Sequence, residues 1–121
     1  MDVRACLPAP VILKPMQRHL IPTGLYIELP KGYEAQIRPR SGLAIHHGIT
    51  CLNSPGTIDS DYRGEIKVIL INLSDADHII SHNDRIAQLV LQQVDQVKWE
   101  LVPEIGTTQR DQGGFGHTGK S

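Results

Sequence analysis

Gly56-Thr-Ile-Asp-Ser-Asp-Tyr-Arg-Gly64 runs directly into Glu65-Ile-Lys-Val-Ile-Leu-Ile-Asn-Leu73, and these two pieces decide the fold. The second is dense in β-branched and aliphatic side chains and reads as a strand. The first has a glycine at each end and reads as a hairpin turn. Between the glycines stand Asp59, Asp61 and Tyr62. Acids and an aromatic are costly to bury and cheap to expose, so a loop that holds them is a site candidate.

Outward from this hairpin the chain keeps the same grammar. Short apolar runs alternate with Pro and Gly, and no long 3.6-residue period appears. Strands are expected at Val11–Leu13, Gln17–Pro22, Leu25–Leu29, Tyr33–Arg38, Gly48–Leu52, His78–Ile80, Arg85–Leu91 and Val94–Leu101. Pro22-Thr-Gly24 reads as a turn between two of them, and Asn53-Ser-Pro-Gly56 and Asn83-Asp84 as others. Only Ser41–His46 reads as helical, with Ser41 as N-cap and Gly48 as terminator. Many short strands at regular spacing indicate an all-β fold, a sandwich, jelly roll or barrel.

The totals agree with one such domain. At 121 residues the chain suits a single core. Hydrophobic residues make up 40% and charged residues 21%, an ordinary globular balance. A net charge of -1 gives no field that would favour bulk binding to nucleic acid or an anionic membrane. No apolar run approaches the ~18–20 residues of a membrane span, and no signal peptide is evident. The two cysteines, Cys6 and Cys51, lack zinc-site spacing and suit free thiols in a reducing compartment, so the cytoplasm is expected. The neighbouring pair His46-His47 would point about 100° apart on a helix and make poor joint ligands.

From Gly106 the composition changes. Residues 106–121 carry one large apolar side chain, Phe115, and are expected to form a flexible arm. The arm is not featureless. Arg110 offers a forked cation, and Gly113-Gly-Phe-Gly116 offers backbone N–H groups that can approach phosphate oxygens. Phe115 can stack on a base, and Thr118, Lys120 and Ser121 are further donors. A second anion-binding candidate is Pro39-Arg-Ser-Gly-Leu43, which sets Arg40 and a hydroxyl at the start of a helical turn. Gln88 is a polar residue inside an apolar strand.

Five short motifs stand here in a fixed order: Asp2-Val-Arg-Ala-Cys6, Pro39-Arg-Ser-Gly-Leu-Ala44, Gly56–Gly64 with Asn53 before it, Asp84-Arg-Ile-Ala-Gln-Leu89, and Arg110-Asp-Gln-Gly-Gly-Phe-Gly-His-Thr-Gly119. In this order they closely resemble the trimeric dUTP pyrophosphatases (dUTPases), over essentially the whole chain. The resemblance implies a jelly-roll-like distorted β-barrel with one short helix, spanning residues 1–105, and an arm, 106–121, that closes a neighbouring active site. It implies a homotrimer whose three sites each draw on three chains. The family's usual opening segment, with an Ala-Gly pair ahead of the aspartate, is expected to be lacking, because Met1 directly precedes Asp2.

The reaction implied is dUTP + H₂O → dUMP + diphosphate, with Mg²⁺ on the triphosphate, supplying dUMP for thymidylate synthesis and limiting uracil in DNA. By the same resemblance Asp59 is the catalytic base that activates water and accepts from the 3′-OH. Tyr62 packs on the deoxyribose and excludes a 2′-OH. Asn53 and hairpin backbone groups read the uracil edge, with Ile58 and Lys67 also placed at the substrate. Arg40, Ser41, Gly42 and Gln88 hold phosphates. Arg110 grips the γ-phosphate, Phe115 covers the uracil, and Gly116 lines the closing arm. Asp2 reaches Mg²⁺ through water. Asp61 is expected to be a structural partner of the turn. Two other activities remain open on the same scaffold: a non-catalytic or regulatory nucleotide binder, and dCTP deamination, for which Glu65 is the nearest acid/base candidate.

Overall fold

The computed structural model describes residues 1–120. Ser121 lies outside the described residues, so its expected donor role in the arm is untested. Among the described residues nine strands and one helix run in this order: β1 (Asp2–Arg4), β2 (Val11–Leu13), β3 (Arg18–Leu25), β4 (Tyr33–Arg38), α1 (Ser41–His47), β5 (Ile49–Cys51), β6 (Gly56–Ile58), β7 (Ile66–Asn72), β8 (His78–Ile80) and β9 (Arg85–Gln93). They form three sheets, of strand orders β1-β9-β4-β6, β3-β7-β5 and β2-β8. Every pairing is antiparallel. The all-β, jelly-roll-like architecture expected from the sequence is present, although the hydrogen-bonded ladders do not close into a continuous barrel. No described helix is long and apolar enough to cross a membrane.

The core follows from period-two alternation. On β7, Ile66, Val68 and Leu70 turn inward while Lys67 turns out. On β4, Ala35 and Ile37 are buried between partly covered Glu34, Gln36 and Arg38. Leu13, Ile21, Ile49, Ile80 and Ile86 join them in a largely aliphatic interior to which, among the described residues, no aromatic ring contributes a buried side chain.

One polar residue lies fully inside. Asn72 is 0% exposed and ends β7. Its Nδ2 donates to the Leu13 and Ala76 carbonyls, at 2.8 Å each, and its Oδ1 accepts from the Ser74 N–H and hydroxyl. It thereby ties β2, β7 and the following turn together. Asn72→Ala would leave buried partners unpaired, which costs about 2–4 kcal/mol. A thermal melt should show a Tm lower on the order of 10 °C. A Tm within a degree or two of wild type would show that the network is dispensable.

Four local expectations are corrected. Pro22-Thr-Gly24 is not a turn. β3 runs through it as a bulge, pairing Pro22 with Lys67 and then Leu25 with Ile66. Gly24 takes the left-handed φ of 69° that the bulge needs, and the Thr23 hydroxyl donates to the Ile66 carbonyl. Beyond Leu25 the alternating Tyr26–Leu29 run is irregular chain, with Ile27 and Leu29 resting against the core. Second, Val94–Leu101 forms no strand. Its alternation leaves Val97, Trp99 and Leu101 exposed, with no ladder beside them among the described residues. Third, the residue capping α1 is Arg40, in extended conformation, and Ser41 is already helical. Gly48 does terminate α1, at φ 64°. Fourth, Gly56 does not open the turn. It is a buried strand residue in β6, opposite Ile37 of β4.

Candidate active site

The candidate site residues fall into three groups, and the fold places each separately. The first is a polar row at one end of the four-stranded sheet. β1, β9 and β4 set Asp2 opposite Gln88 and Gln88 opposite Arg38. Residues opposed in register share a face, so these three side chains stand side by side. Arg40, just past β4, donates from Nη1 to the Arg85 carbonyl at 3.0 Å, and its Nε lies 3.9 Å from Asp2 Oδ1. Arg85 approaches the other Asp2 oxygen at 3.5 Å. Ser41 and Gly42 follow at the start of α1. The Ser41 hydroxyl takes no capping role, and nothing lies within 4 Å of where a Gly42 side chain would project. Two guanidiniums thus face one carboxylate, with Arg38 further along the row on the far side of Gln88, and the excess positive charge suits a polyphosphate.

Arg38 and Arg85 were missed as site candidates. Arg38 continues an outward row on β4 in which Arg38 donates to Gln36 at 3.0 Å and Gln36 to Glu34 at 2.9 Å. The period-two spacing of Glu34, Gln36 and Arg38 is a visible signal for that row. Arg85 stands inside the Asp84–Leu89 motif, but its approach to Asp2 depends on β1 lying next to β9.

The second group is the hairpin between β6 and β7. The Tyr62 N–H donates to the Asp59 carbonyl at 3.1 Å and closes the turn. Arg63 braces the tip, donating to the Ser60 and Tyr62 carbonyls. That bracing was expected of Asp61. Among the described residues it comes from Arg63, while Asp61 is exposed beside Asp59. The Tyr62 hydroxyl donates to the Glu65 carbonyl at 2.8 Å, which bends the ring back over Gly64. Any Cβ at Gly64 would overlap that ring.

Two clefts flank this hairpin. One is lined by Asp59, Ser60, Asp61 and Arg63 with Lys31 and Tyr33. The other, about 600 Å³, is lined by Tyr62, Tyr26, Leu20, Thr57, Ile58 and Lys67. At the root of the hairpin Asn53, Gly56, Ile58 and Lys67 surround a small recess of about 70 Å³. The Asn53 amide lies 3.1 Å from where a Gly56 Cβ would stand, so glycine there gives the amide its place. Ile58 is buried, so what it offers a ligand is backbone. Lys67 points outward, 4.0 Å from Glu65.

The third group is the arm. Arg110 donates from Nε to the Gly113 carbonyl, and the Asp111 N–H donates to the Thr108 hydroxyl at 3.0 Å. Phe115 is fully exposed at φ 51°, and Gly116 follows at φ 79°. Arg110 and Gly116 line a hollow with Thr108, Gln109, His117 and Thr118. Every hydrogen bond given by described arm residues stays inside the arm. Among the described residues, then, no hydrogen bond or ion pair joins the arm to the hairpin or to the phosphate row.

The two thiols differ sharply. Cys6 is exposed and Cys51 buried, both free. Burial pushes the Cys51 thiol up to about 11. At pH 8 about a thousandth of Cys51 would be thiolate. Titration of the native protein with an aromatic disulfide should release one equivalent quickly, from Cys6, and the second only in denaturant. Two fast equivalents would contradict the burial of Cys51.

The sequence and fold agree with known proteins. The dUTPase family model matches residues 3–119. The deoxyuridine 5'-triphosphate nucleotidohydrolase of Fusobacterium nucleatum is 56% identical over 120 residues, covering 99% of this chain and 82% of that protein. A Staphylococcus bacteriophage 80alpha dUTPase variant with dUpNHpp superposes with a TM-score of 0.84 at 22% identity, over 98% of this chain and 85% of the other. A variant of the phage phi11 dUTPase, studied for its coordination of a structural Mg(II) ion, gives 0.78 at 20% identity, over 88% and 84%. A family match from end to end, together with identity above one half, leads to one conclusion: the chain belongs to the dUTPase family.

Proposed function

We infer that the protein hydrolyses dUTP to dUMP and diphosphate, supplying dUMP for thymidylate synthesis and limiting uracil incorporation into DNA. The observation that carries this is the hairpin. It presents an exposed carboxylate, Asp59, at a tip closed by its own backbone, next to a tyrosine whose hydroxyl is anchored.

In the proposed mechanism Asp59 accepts a proton from water as that water attacks phosphorus. The bond between the α- and β-phosphates then breaks and diphosphate leaves. A general base needs hydrogen-bond reach to the water and a fixed position, and the braced tip supplies the second. Asn53 and the backbone at Gly56 and Ile58 pair with the uracil edge in the recess. A backbone-lined site rejects a wrong base because its own polar groups would be left unpaired. Tyr62 is the wall against the sugar, with Lys67 beside it. Arg40, Ser41, Gly42 and Gln88 hold phosphates, joined by Arg38 and Arg85. Arg110, Phe115 and Gly116 close over the nucleotide, and closure removes water.

Magnesium is proposed as the cofactor. Among the described residues no cluster of three His, Cys, Asp or Glu side chains is gathered to hold a dehydrated ion. Asp2 is a single carboxylate already facing two guanidiniums. That donor set fits Mg²⁺ held mainly by substrate phosphates, with Asp2 reached through retained water. Such an ion neutralises charge on the triphosphate and fixes its shape.

No hydrogen bond or ion pair links the three groups among the described residues, and this supports a homotrimer in which the hairpin, the phosphate row and the arm come from three subunits. Residues 1–105 would be the β domain and 106–121 the arm that reaches a neighbouring site. Free thiols at Cys6 and Cys51 suit the cytoplasm. The test is diphosphate release from dUTP with Mg²⁺, set against ammonia release from dCTP. Diphosphate from dUTP and no ammonia is expected. Tight dUTP binding without turnover would overturn the reading.

A further inference from the structure

We propose that Glu65 is a positioning residue for sugar discrimination: by fixing the β3 bulge to the base of the hairpin, it holds the Tyr62 ring where it excludes a 2′-hydroxyl. The inference rests on the reading of Tyr62 as the wall against the deoxyribose.

The geometry runs through three contacts. The bulge at Thr23–Gly24 takes Gly24 out of the β3–β7 ladder, so its N–H has no strand partner there. The Glu65 carboxylate takes that N–H, Oε1 accepting at 3.0 Å. The other oxygen lies 4.0 Å from Lys67 Nζ. Meanwhile the Glu65 backbone carbonyl accepts the Tyr62 hydroxyl at 2.8 Å. One residue therefore anchors the ring with its main chain and is itself anchored by its side chain. The Glu65 side chain is 22% exposed, while the bond it accepts from Gly24 lies at the surface.

The surroundings leave the ring few other supports. Tyr62 is 45% exposed, and beneath it lies Gly64, which has no side chain to pack. The ring's angle is set by the backbone turn at one end and the hydroxyl bond at the other. If the Glu65 carbonyl shifts, the far end of the ring shifts with it. An apolar wall rejects an added hydroxyl by only about a hundredfold, and a small displacement erodes that margin.

The role differs from simple stabilisation. Loss of fold lowers turnover on dUTP and UTP alike, whereas a displaced wall changes their ratio. The acceptor is what matters, so an amide of the same length should serve and a shorter carboxylate should not reach.

The experiment measures kcat/KM for dUTP and UTP, with Tm, in wild type, Glu65→Ala, Glu65→Asp and Glu65→Gln. Wild type should favour dUTP strongly. Glu65→Ala and Glu65→Asp should each lower the dUTP/UTP ratio about tenfold. Glu65→Gln should stay within about threefold of wild type, since its Oε1 still accepts from Gly24. If Glu65→Ala does not fold, Glu65→Asp, which removes one methylene and keeps the charge, carries the test. A wild-type ratio in a folded Ala or Asp variant overturns the proposal. So does a Gln variant as impaired as Ala, because the charge facing Lys67 would then be the active feature. A wild-type enzyme indifferent to the 2′-hydroxyl would instead overturn the reading of Tyr62 itself.

Discussion

Asp59→Asn should lower kcat on dUTP by about 10²–10⁴-fold, the usual worth of a positioned general base. KM should change little. The asparagine oxygen can still accept from a sugar hydroxyl, and the side chain is close to isosteric. Stability should hardly move, because Asp59 is exposed and the tip is closed by the Tyr62 N–H and by Arg63, not by the Asp59 carboxylate. Exposed substitutions away from caps and networks generally stay within ±0.5 kcal/mol. Steady-state diphosphate release and a thermal melt on the same preparation separate the two effects. A fall in kcat with unchanged Tm assigns Asp59 to chemistry, since the lost interaction is made only in the transition state. Near-normal turnover would remove Asp59 as the base. A matching fall in Tm would make it a structural residue of the turn.

That prediction was available from the sequence, because the hairpin is local. Seven contiguous residues between two glycines carry the carboxylate, the tyrosine and the brace, and the next strand announces itself by alternation. Local order also made α1 and its Gly48 terminator visible. What was lost was everything that depends on a neighbour elsewhere in the chain. Pro22-Thr-Gly24 has the composition of a turn, and Gly24 does take a positive φ. Whether such a segment turns or bulges depends on what lies across from it, here Ile66 and Lys67. Likewise Val97, Trp99 and Leu101 alternate as a strand should, but a strand exists only where a ladder accepts its backbone. β1 at Asp2–Arg4 went unread for the opposite reason. It is three residues long and mostly polar, and its partner β9 makes it a strand.

The site divides along the same line. Asp59, Tyr62, Arg40, Gln88, Arg110 and Phe115 lie in motifs that can be matched by eye. The parts proposed for Arg38, Arg85 and Glu65 rest on register and bulge geometry, which the motifs do not record even where, as with Arg85, the residue stands inside one. Asn72 stood, like Gln88, as a polar residue inside an apolar run, but nothing local distinguishes a buried, fully bonded amide from an exposed one.

Subunits carrying different defects should restore activity when mixed. Take one variant lacking residues 107–121 and another carrying Asp59→Asn. Each alone should have at most a few per cent of wild-type turnover, the first for want of closure and the second for want of a base. The two are then denatured together and refolded, and the separation of groups within the chain sets the expected outcome. The arm's hydrogen bonds stay within the arm, and its hollow shares no lining residue with the hairpin clefts. If each site takes its hairpin from one subunit and its arm from another, the two defects fall independently on any site in a random trimer. Each needed part is intact with a chance of one half, so roughly a quarter of sites are whole, and activity should return to about that fraction. If arm and hairpin of the same chain served one site, no mixture could contain a whole site and activity would stay at the level of the parents. Sedimentation of the mixture checks that trimers have formed. Recovery near a quarter requires arm exchange between subunits, and none in well-formed trimers excludes it.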